Sequence, residues 1–260
     1  MSNSNYFENT IIITVGDESG VGPEIILKAL ASNQIPQNIK IKIVGSKRNL
    51  IDTYKSLKLI GIKKIANPDE LDIENIEVPK IDNANIRTNC GNSSFIYLKK
   101  AIEIVKSKKN AALVTGPICK KSWALAGHNY SGQTELLSES CNCKNTGMLF
   151  TAKSPITGWR FNTLLATTHL PLVEIPKQLN TNLISSKLDL LKNFSKKFNK
   201  NINLKVAGLN PHAGEEGILG KEEISFLNDC LLHWKAKNPE IKLEGPSKTI
   251  NLICDCEKKG

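Results

Sequence analysis

The sequence predicts an α/β protein with a mainly parallel sheet, and three observations lead to that prediction. Short apolar runs rich in β-branched residues alternate with helical repeats, as expected when helices cover a parallel sheet. Glycine and proline stand between these elements and mark turns. With 260 residues, the chain is long enough for one large α/β domain or two smaller ones.

The first strand is predicted at residues 9–15, and a glycine-punctuated loop at residues 16–22 follows it. Pro23 then stands at the favoured first position of a helix over residues 24–31. The loop reads G-x-x-x-G-x-G-P, which is neither the dinucleotide-binding fingerprint nor a P-loop. Backbone amides at the helix start can hold an anion. A tight turn without a ligand is the slightly favoured interpretation.

A second strand is predicted at residues 40–44, whereas residues 64–87 contain prolines and many Asp and Asn residues typical of loops with short strands. Apolar residues at helical spacing predict a helix over residues 93–108. A short buried strand at residues 111–114 follows and ends at Thr115-Gly116-Pro117. Further helices are predicted at residues 134–140, 183–198 and 221–236.

Two histidines each follow an apolar run, His169 after residues 164–166 and His212 after residues 204–209. In an open α/β sheet, ligands bind at the carboxyl ends of the strands. We therefore expect both imidazoles at one edge of the sheet. Zinc binds His nitrogen readily and uses three protein ligands in catalytic sites, so these two would form part of a metal site. Ordinary loop or core histidines remain an equally weighted alternative.

Composition bears on the class of partner. The net charge is +10, but Arg48, Arg87 and Arg160 are the only arginines. Arginine is the residue favoured for phosphate and base contacts in nucleic-acid complexes. We therefore expect a solvated lysine surface that weakly attracts small anions, and no nucleic-acid partner. We also expect no membrane partner, because no run is long and apolar enough to span a bilayer.

The cysteines and the first residues bear on the compartment. Seven cysteines, an odd number, do not resemble a disulfide framework. The start, residues 1–6, lacks the basic and apolar regions of a secretory signal. We therefore expect a reducing cytoplasm. The pairs Cys141/Cys143 and Cys254/Cys256 are spaced C-x-C rather than C-x-x-C, which is a weak signal for structural zinc or redox chemistry.

Five segments stand in an order typical of one enzyme family. They are residues 14–24 (TVGDESGVGPE), 115–120 (TGPICK), 126–135 (AGHNYSGQTE), 168–171 (THLP) and 208–223 (GLNPHAGEEGILGKEE). Together they resemble the motifs of the 4-hydroxythreonine-4-phosphate dehydrogenase family, PdxA. The resemblance runs from about Thr14 to Pro246, and its last motif is long and specific.

The resemblance implies a fold similar to isocitrate and isopropylmalate dehydrogenases, with two α/β/α subdomains. We place the first subdomain at residues 1–118, the second at residues 119–246, and an unmatched tail at residues 247–260. The resemblance also implies a homodimer whose active site is shared by both subunits. The implied reaction is NAD-dependent oxidation and decarboxylation of 4-hydroxythreonine 4-phosphate, on the route to pyridoxal phosphate.

The resemblance further implies roles for particular residues. His169 and His212 correspond to two of the three metal-binding histidines of the family, and Thr134 corresponds to a substrate-binding threonine. Lys120 matches a lysine near the cleft that could contact an anionic group, with a surface lysine as an equal alternative. Zinc is the favoured metal, with magnesium and cobalt as alternatives. No residue is assigned to NAD or to proton transfer.

Gln133 departs from the family pattern, in which a substrate-contacting histidine usually stands at this position. Glutamine can donate and accept hydrogen bonds but cannot become a cation. We therefore expect any activity to lack the pH dependence that an imidazole would give there. The change Gln133→His should raise turnover if the remaining site is intact.

The sequence also departs from the family after Pro246. The family continues with a motif that carries its third metal histidine, whereas residues 247–260 here do not match it. We expect a C-terminally truncated or frameshifted product that is less stable than complete members and has a poorly ordered tail. A variant site in which Cys254 or Cys256 supplies the third ligand is the alternative. The alternatives to an active dehydrogenase are therefore an inactive remnant of the family and a relative that acts on another phosphorylated hydroxy acid.

Overall fold

The first part of the chain is built on a parallel sheet. The computed structural model describes residues 9–32, 34–198 and 201–247. Four strands pair in the order β3-β2-β1-β4, all parallel, which confirms the predicted α/β class. The strands are β1 (Asn9–Thr14), β2 (Ile39–Gly45), β3 (Ile73–Asn75) and β4 (Ala111–Thr115).

Five helices follow these strands and cover their apolar side chains. They are α1 (Gly22–Leu30), α2 (Lys47–Leu59), α3 (Ile86–Ser107), α4 (Lys120–Leu125) and α5 (Gln133–Ser140). A short 3-10 helix, Pro68–Glu70, lies in the segment predicted to be loop-rich. The core between sheet and helices contains fully buried Ile12, Leu27 and Leu50. Burying such side chains is the main source of stability for this layer.

Helix α3 begins earlier than the predicted start at residue 93. The side chain of Asn85 accepts a hydrogen bond from the backbone N–H of Thr88 at 2.9 Å, so Asn85 is the N-cap. The first turns of the helix carry polar residues, which hid them from a search for apolar periodicity. Gly91 and Ser94 lie in this part, where the helix is buried.

A second apolar cluster joins α4 and α5 to α3. Phe95, Trp123 and Leu136 are buried together in it, and the Trp123 indole N–H donates to Ser94 Oγ at 2.8 Å. The chain accordingly divides into compact units at Met1–Asn142 and Cys143–Gly260. The predicted boundary after residue 118 falls before α4, and the division instead follows α5 because both helices pack on α3.

The second unit contains two separate strand pairs. Strands β5 (Leu149–Lys153) and β6 (Arg160–Leu164) form an antiparallel hairpin. Strands β7 (Asn203–Ala207) and β8 (Lys242–Ser247) pair in parallel. The sequence pattern did not distinguish these two kinds of pairing.

The helices of the second unit are α6 (Ile175–Gln178), α7 (Thr181–Ser195) and α8 (Asn228–Lys237), with a π-helical turn at Glu223–Leu227 directly before α8. Helices α7 and α8 pack with the β7–β8 pair. The predicted helix over residues 221–236 is thus divided between the π-helical turn and α8. Leu188, Leu204 and Trp234 are buried in the core of this unit.

Ser247 ends β8, and the rest of the predicted tail, with Cys254 and Cys256, lies outside the described residues. Among the residues that the structure describes, every helix is too short or too polar to cross a membrane.

The first unit contains a histidine whose charge is disfavoured. The ring of His128 stacks on Phe95 with centroids 3.7 Å apart and planes 9° from parallel, and its Nε2 lies 3.0 Å from Asn92 Oδ1. Burial, and secondly the positive charge of Lys99, lower the pKa of His128. The fold therefore resists protonation of this ring.

We predict that this histidine makes the free energy of unfolding fall in acid. Below about pH 6.5 the unfolded chain protonates its histidines, whereas folded His128 takes up its proton only at lower pH. Stability present above pH 6.5 is therefore lost as pH falls through the interval down to the folded pKa. Urea unfolding of His128→Phe should show a smaller loss over this interval. His233→Gln, at an exposed histidine of α8, is the control; equal losses in wild type and His128→Phe would contradict the prediction.

Candidate functional site

The order in which the chain adds strands to the first sheet reverses between β1 and β4. From β1 the chain moves outward to β2 and β3, and then returns through α3 to β4 on the other side of β1. Such a switch point is where open α/β sheets bind ligands, because the loops after the two strands diverge there. The loops at this position are residues 16–22 and residues 116–119.

The two loops are joined through their main chains. The backbone N–H of Asp17 donates to the carbonyl of Pro117 at 2.8 Å, and that of Gly116 donates to Thr14 O and Oγ1, each at 3.0 Å. A Cβ at Gly116 would lie 2.5 Å from the carbonyl oxygens of Thr14 and Val15, so only glycine fits there. The loop backbone is therefore fixed at this edge before any ligand binds.

Two carboxylates of the first loop, Asp17 and Glu18, accept hydrogen bonds that fix the loop in place. Asp17 Oδ1 accepts from the backbone N–H of Ser19 at 2.9 Å and from its hydroxyl at 2.7 Å. The Glu18 carboxylate accepts from the Tyr97 hydroxyl. Burial and this carboxylate raise the pKa of Tyr97, so the phenol stays a donor. Two carboxylates in the loop disfavour an anion at the start of α1, which supports the interpretation of a turn without a ligand.

The structure brings two of the predicted substrate residues to the β4 side of this edge. Gln133 Nε2 donates to the carbonyl of Gly116 at 3.2 Å. Lys120 approaches from the start of α4, since a Cβ built at Gly132 would lie 3.6 Å from Lys120 Nζ. Thr134 follows Gln133 in the first turn of α5, with its side chain exposed. Lys120, Gln133 and Thr134 thus lie around the N-terminus of α5.

The charges around this helix start are mixed. The Lys120 ammonium and the N-terminus of α5 both favour an anion. Glu135 is in the first turn as well, with Oε2 3.3 Å from the Cβ position of Gly132. A ligand bound here would therefore meet both a cation and a carboxylate, as expected for recognition of a substrate with groups of both signs.

Gln133 has an unused acceptor. Its Oε1 is buried and has no hydrogen-bond partner within the described residues, whereas its Nε2 is engaged by Gly116. A buried acceptor without a donor costs about 1–3 kcal/mol. The amide oxygen therefore offers an acceptor to any donor group that reaches it.

The two predicted metal residues lie in the second unit, after strands of different pairs. His169 follows β6 of the antiparallel hairpin, and His212 follows β7 of the parallel pair. We expected both histidines at one edge of a single sheet, but they follow strands of two separate sheets. Both side chains are exposed, and both residues have left-handed backbone, with φ of 57° at His169 and 54° at His212. That they converge on one point stays a prediction.

His212 begins a run of left-handed backbone, which we call the left-handed segment (residues 212–217). Its six φ angles are 54°, 55°, 80°, 44°, 57° and 95°. Four of the residues are not glycine, and each of these costs roughly 1–2 kcal/mol in this conformation. Such strain persists only where the surrounding structure holds it.

The buried carboxylate of Glu223 lies beside this segment. Its Oε1 accepts from the backbone N–H groups of Leu209 and Asn210, each at 2.8 Å, and its Oε2 accepts from Asn210 Nδ2 at 2.8 Å. Burial alone would raise the pKa of Glu223, but the hydrogen bonds, chiefly those from Asn210, outweigh burial and lower it. Glu223 is therefore held as an anion.

The histidines of the second unit have donor atoms that a divalent metal can use. Exposed imidazoles at His169 and His212 are suitable ligands for zinc. Within the described part of the chain, no group of three or more His, Cys, Asp or Glu side chains is arranged to hold a metal ion. The two histidines therefore have suitable donor chemistry, but these residues do not provide a complete ligand set.

The sequence interpretation gave no role to Glu223 or to Asn210. Both stand in the 208–223 motif, where a signal was available: Asn210 precedes the histidine, and Glu223 follows a glycine-rich stretch that needs an acceptor. A loop that leaves backbone N–H groups unpaired requires such an acceptor when it is buried.

Comparison with known proteins gives consistent matches. The family model described as "Pyridoxal phosphate biosynthetic protein PdxA" matches residues 26–251. A 4-hydroxythreonine-4-phosphate dehydrogenase of Synechococcus sp. (strain RCC307) is 41% identical over 237 residues, which cover 91% of this chain and 71% of that protein. One from Nostoc sp. (strain PCC 7120 / SAG 25.82 / UTEX 2576) is 41% identical over 247 residues, covering 91% and 67%.

Solved structures match the fold. The crystal structure of a 4-hydroxythreonine-4-phosphate dehydrogenase from Klebsiella pneumoniae has a TM-score of 0.80 at 24% identity, and the match covers 98% of this chain and 78% of that one. A putative 4-hydroxythreonine-4-phosphate dehydrogenase from Salmonella typhimurium gives 0.77 at 24% identity, covering 96% and 78%. At this identity the likeness establishes the fold, which agrees with the α/β prediction.

Proposed function

This chain belongs to the PdxA family of pyridoxal phosphate biosynthetic proteins, and from that premise we propose its reaction. The proposed reaction is the NAD-dependent oxidation and decarboxylation of 4-hydroxythreonine 4-phosphate. The observation that carries this proposal is 41% identity, over 91% of the chain, to a relative named for that substrate. The chain is accordingly an enzyme of the dehydrogenase class with a role in pyridoxal phosphate biosynthesis.

Lys120, Gln133 and Thr134 are the proposed substrate contacts. The Lys120 ammonium would pair with an anionic group of the substrate, where charge-assisted hydrogen bonds are strong. The free Oε1 of Gln133 would accept from a hydroxyl or ammonium group, and the Thr134 hydroxyl would orient a neighbouring oxygen. Their common position around the start of α5 supports the assignment.

We propose His169 and His212 as ligands of a divalent metal, with zinc favoured over magnesium and cobalt. When bound, such a metal would act as a Lewis acid toward the substrate hydroxyl, and NAD would accept the hydride. The two imidazoles must be neutral to act as ligands. Their exposure on loops after β6 and β7 supports the proposal.

We also propose a cytoplasmic homodimer. Cys90, Cys119, Cys141 and Cys230 are free thiols, which fits a reducing compartment. One face of the β5–β6 hairpin carries exposed Phe150, Trp159 and Phe161, with the last two rings 5.7 Å apart. An exposed apolar face of this kind is typical of a protein interface. Sedimentation equilibrium should give the mass of two chains.

A relative acting on another phosphorylated hydroxy acid is the second candidate. The observation that favours it is Gln133, whose amide cannot carry the charge of the histidine usual at this position. A substrate with a hydrogen-bond donor, and no anionic oxygen, at this point would suit the free Oε1.

We predict that the purified chain reduces NAD in the presence of 4-hydroxythreonine 4-phosphate, and that Lys120→Gln raises KM roughly tenfold or more, since a hydrogen bond to a charged group contributes about 1.5–3 kcal/mol. Lys121→Gln, at the next exposed lysine of α4, is the matched control. Absence of NADH formation by the wild type would contradict the reaction. Equal KM values for both lysine variants would contradict the role of Lys120.

Gln133→His separates the two candidate substrates in the same assay. If 4-hydroxythreonine 4-phosphate is the substrate, this change should raise turnover. If turnover falls, while the wild type oxidises a different phosphorylated hydroxy acid faster, the second candidate is correct.

For the metal, we predict that zinc binds the wild type and is readily removed by EDTA, because an incomplete ligand set holds the ion weakly. His169→Gln and His212→Gln should each lower the zinc affinity roughly tenfold or more in isothermal titration calorimetry. His233→Gln controls for nonspecific binding by an exposed histidine. Unchanged affinity in either ligand variant would remove that residue from the site.

A further inference from the structure

The left-handed segment begins at His212, and the carboxylate of Glu223 lies against the chain beside it. Glu223 is 2% exposed, so its carboxylate is almost wholly removed from water. A buried carboxylate is retained only where hydrogen bonds compensate for the lost hydration. Here the compensation comes from the main chain of the residues directly before His212, namely Leu209 and Asn210.

The same carboxylate also supports the segment after His212. A Cβ built at Gly214 would lie 2.9 Å from Glu223 Oε2 and 2.7 Å from the carbonyl of Gly220. The backbone at Gly214 thus passes directly over the carboxylate, with no room for a side chain. Glu223 therefore contacts the chain on both sides of His212.

Asn210 extends this contact. Its Nδ2 donates both to Glu223 Oε2 at 2.8 Å and to Glu222 Oε2 at 2.7 Å, and its carbonyl accepts from the backbone N–H of Ala213 at 3.0 Å. The hydrogen bonds thus run from Glu223 through Asn210 to the residue after His212. The backbone of His212 is fixed between two held points, while its side chain remains exposed.

We propose that Glu223 is a positioning residue whose carboxylate holds residues 209–214 in place, maintains the left-handed backbone that begins at His212, and so sets the direction of the His212 imidazole. Its contribution to metal binding rests on the proposed function, in which His212 is a ligand. The carboxylate acts through the main chain on either side of His212. Its effect on the metal is therefore indirect, through the geometry of one ligand.

The variant Glu223→Gln tests this role, because it keeps the size of the side chain but replaces one acceptor oxygen with a donor. That donor must face either the two backbone N–H groups or Asn210 Nδ2, all of which are donors themselves. The matched control is Glu222→Gln, the same change at the next residue. Glu222 also accepts from Asn210 Nδ2, but no backbone N–H of the 209–214 stretch is bonded to it in the described structure.

Two readouts are measured on the full chain. Zinc affinity by calorimetry reports the ligand geometry. Hydrogen exchange of peptides covering residues 208–219, measured without any metal, reports how firmly Glu223 holds this stretch. For Glu223→Gln we expect a roughly tenfold or greater loss of zinc affinity, together with faster exchange in residues 208–219. Glu222→Gln should stay within about twofold of the wild type, since the glutamine oxygen can still accept from Asn210 Nδ2 at this partly exposed position.

The outcomes separate this inference from the proposed metal site. If Glu223→Gln lowers the melting temperature but leaves zinc affinity and exchange in residues 208–219 unchanged, Glu223 is merely structural and the inference is overturned. If the wild type binds no zinc, the metal proposal fails, and exchange alone then decides whether Glu223 holds the segment.

Should Glu223→Gln fail to fold, Asn210→Ala provides the second test. This change removes the side-chain bonds to Glu222 and Glu223 but keeps the backbone bonds to the carboxylate. We expect a smaller loss of zinc affinity and faster exchange confined to residues 208–219. Wild-type exchange in that stretch would overturn the proposal.

Discussion

The loop that follows β7 in the second unit depends on one buried carboxylate, that of Glu223. Just after β7 ends, the backbone N–H groups of Leu209 and Asn210 both donate to the Glu223 carboxylate. Without that acceptor, two part-buried donors would lose their partner, at a cost of at most about 1–3 kcal/mol each. The left-handed segment would also lose the surface on which Gly214 packs. The strained left-handed segment therefore persists because the buried Glu223 carboxylate needs the hydrogen-bond donors of the residues before it.

The first unit could be predicted from the sequence because its signals are local. Apolar runs marked β1, β2 and β4, and Pro23 marked the start of α1. The early start of α3 was missed, since Asn85 caps a first turn that is polar. The pairing of β6 with β5 was also missed, because apolar runs do not tell an antiparallel hairpin from a strand of a parallel sheet.

The motifs of the sequence named the residues of the candidate site, but they did not indicate its geometry. Motif resemblance pointed to Lys120 and Gln133, and the structure places both around the start of α5. It could not reveal that the Gln133 oxygen is buried without a partner, since this depends on the return of α5 to the carbonyl of Gly116. The role of Glu223 likewise needs contacts across the fold that no spacing rule supplies.

The unfolding free energy of Ala213→Gly tests most directly whether the chain is held in the left-handed conformation. Glycine at φ of 55° relieves roughly 1–2 kcal/mol of strain, which offsets about 0.4–1 kcal/mol of added entropy in the unfolded chain. Urea unfolding should therefore show unchanged or raised stability. Ala236→Gly, at an exposed position of right-handed α8, should lose about 0.5–1 kcal/mol. If Ala213→Gly loses as much as Ala236→Gly, the left-handed segment is not strained as described and the account fails.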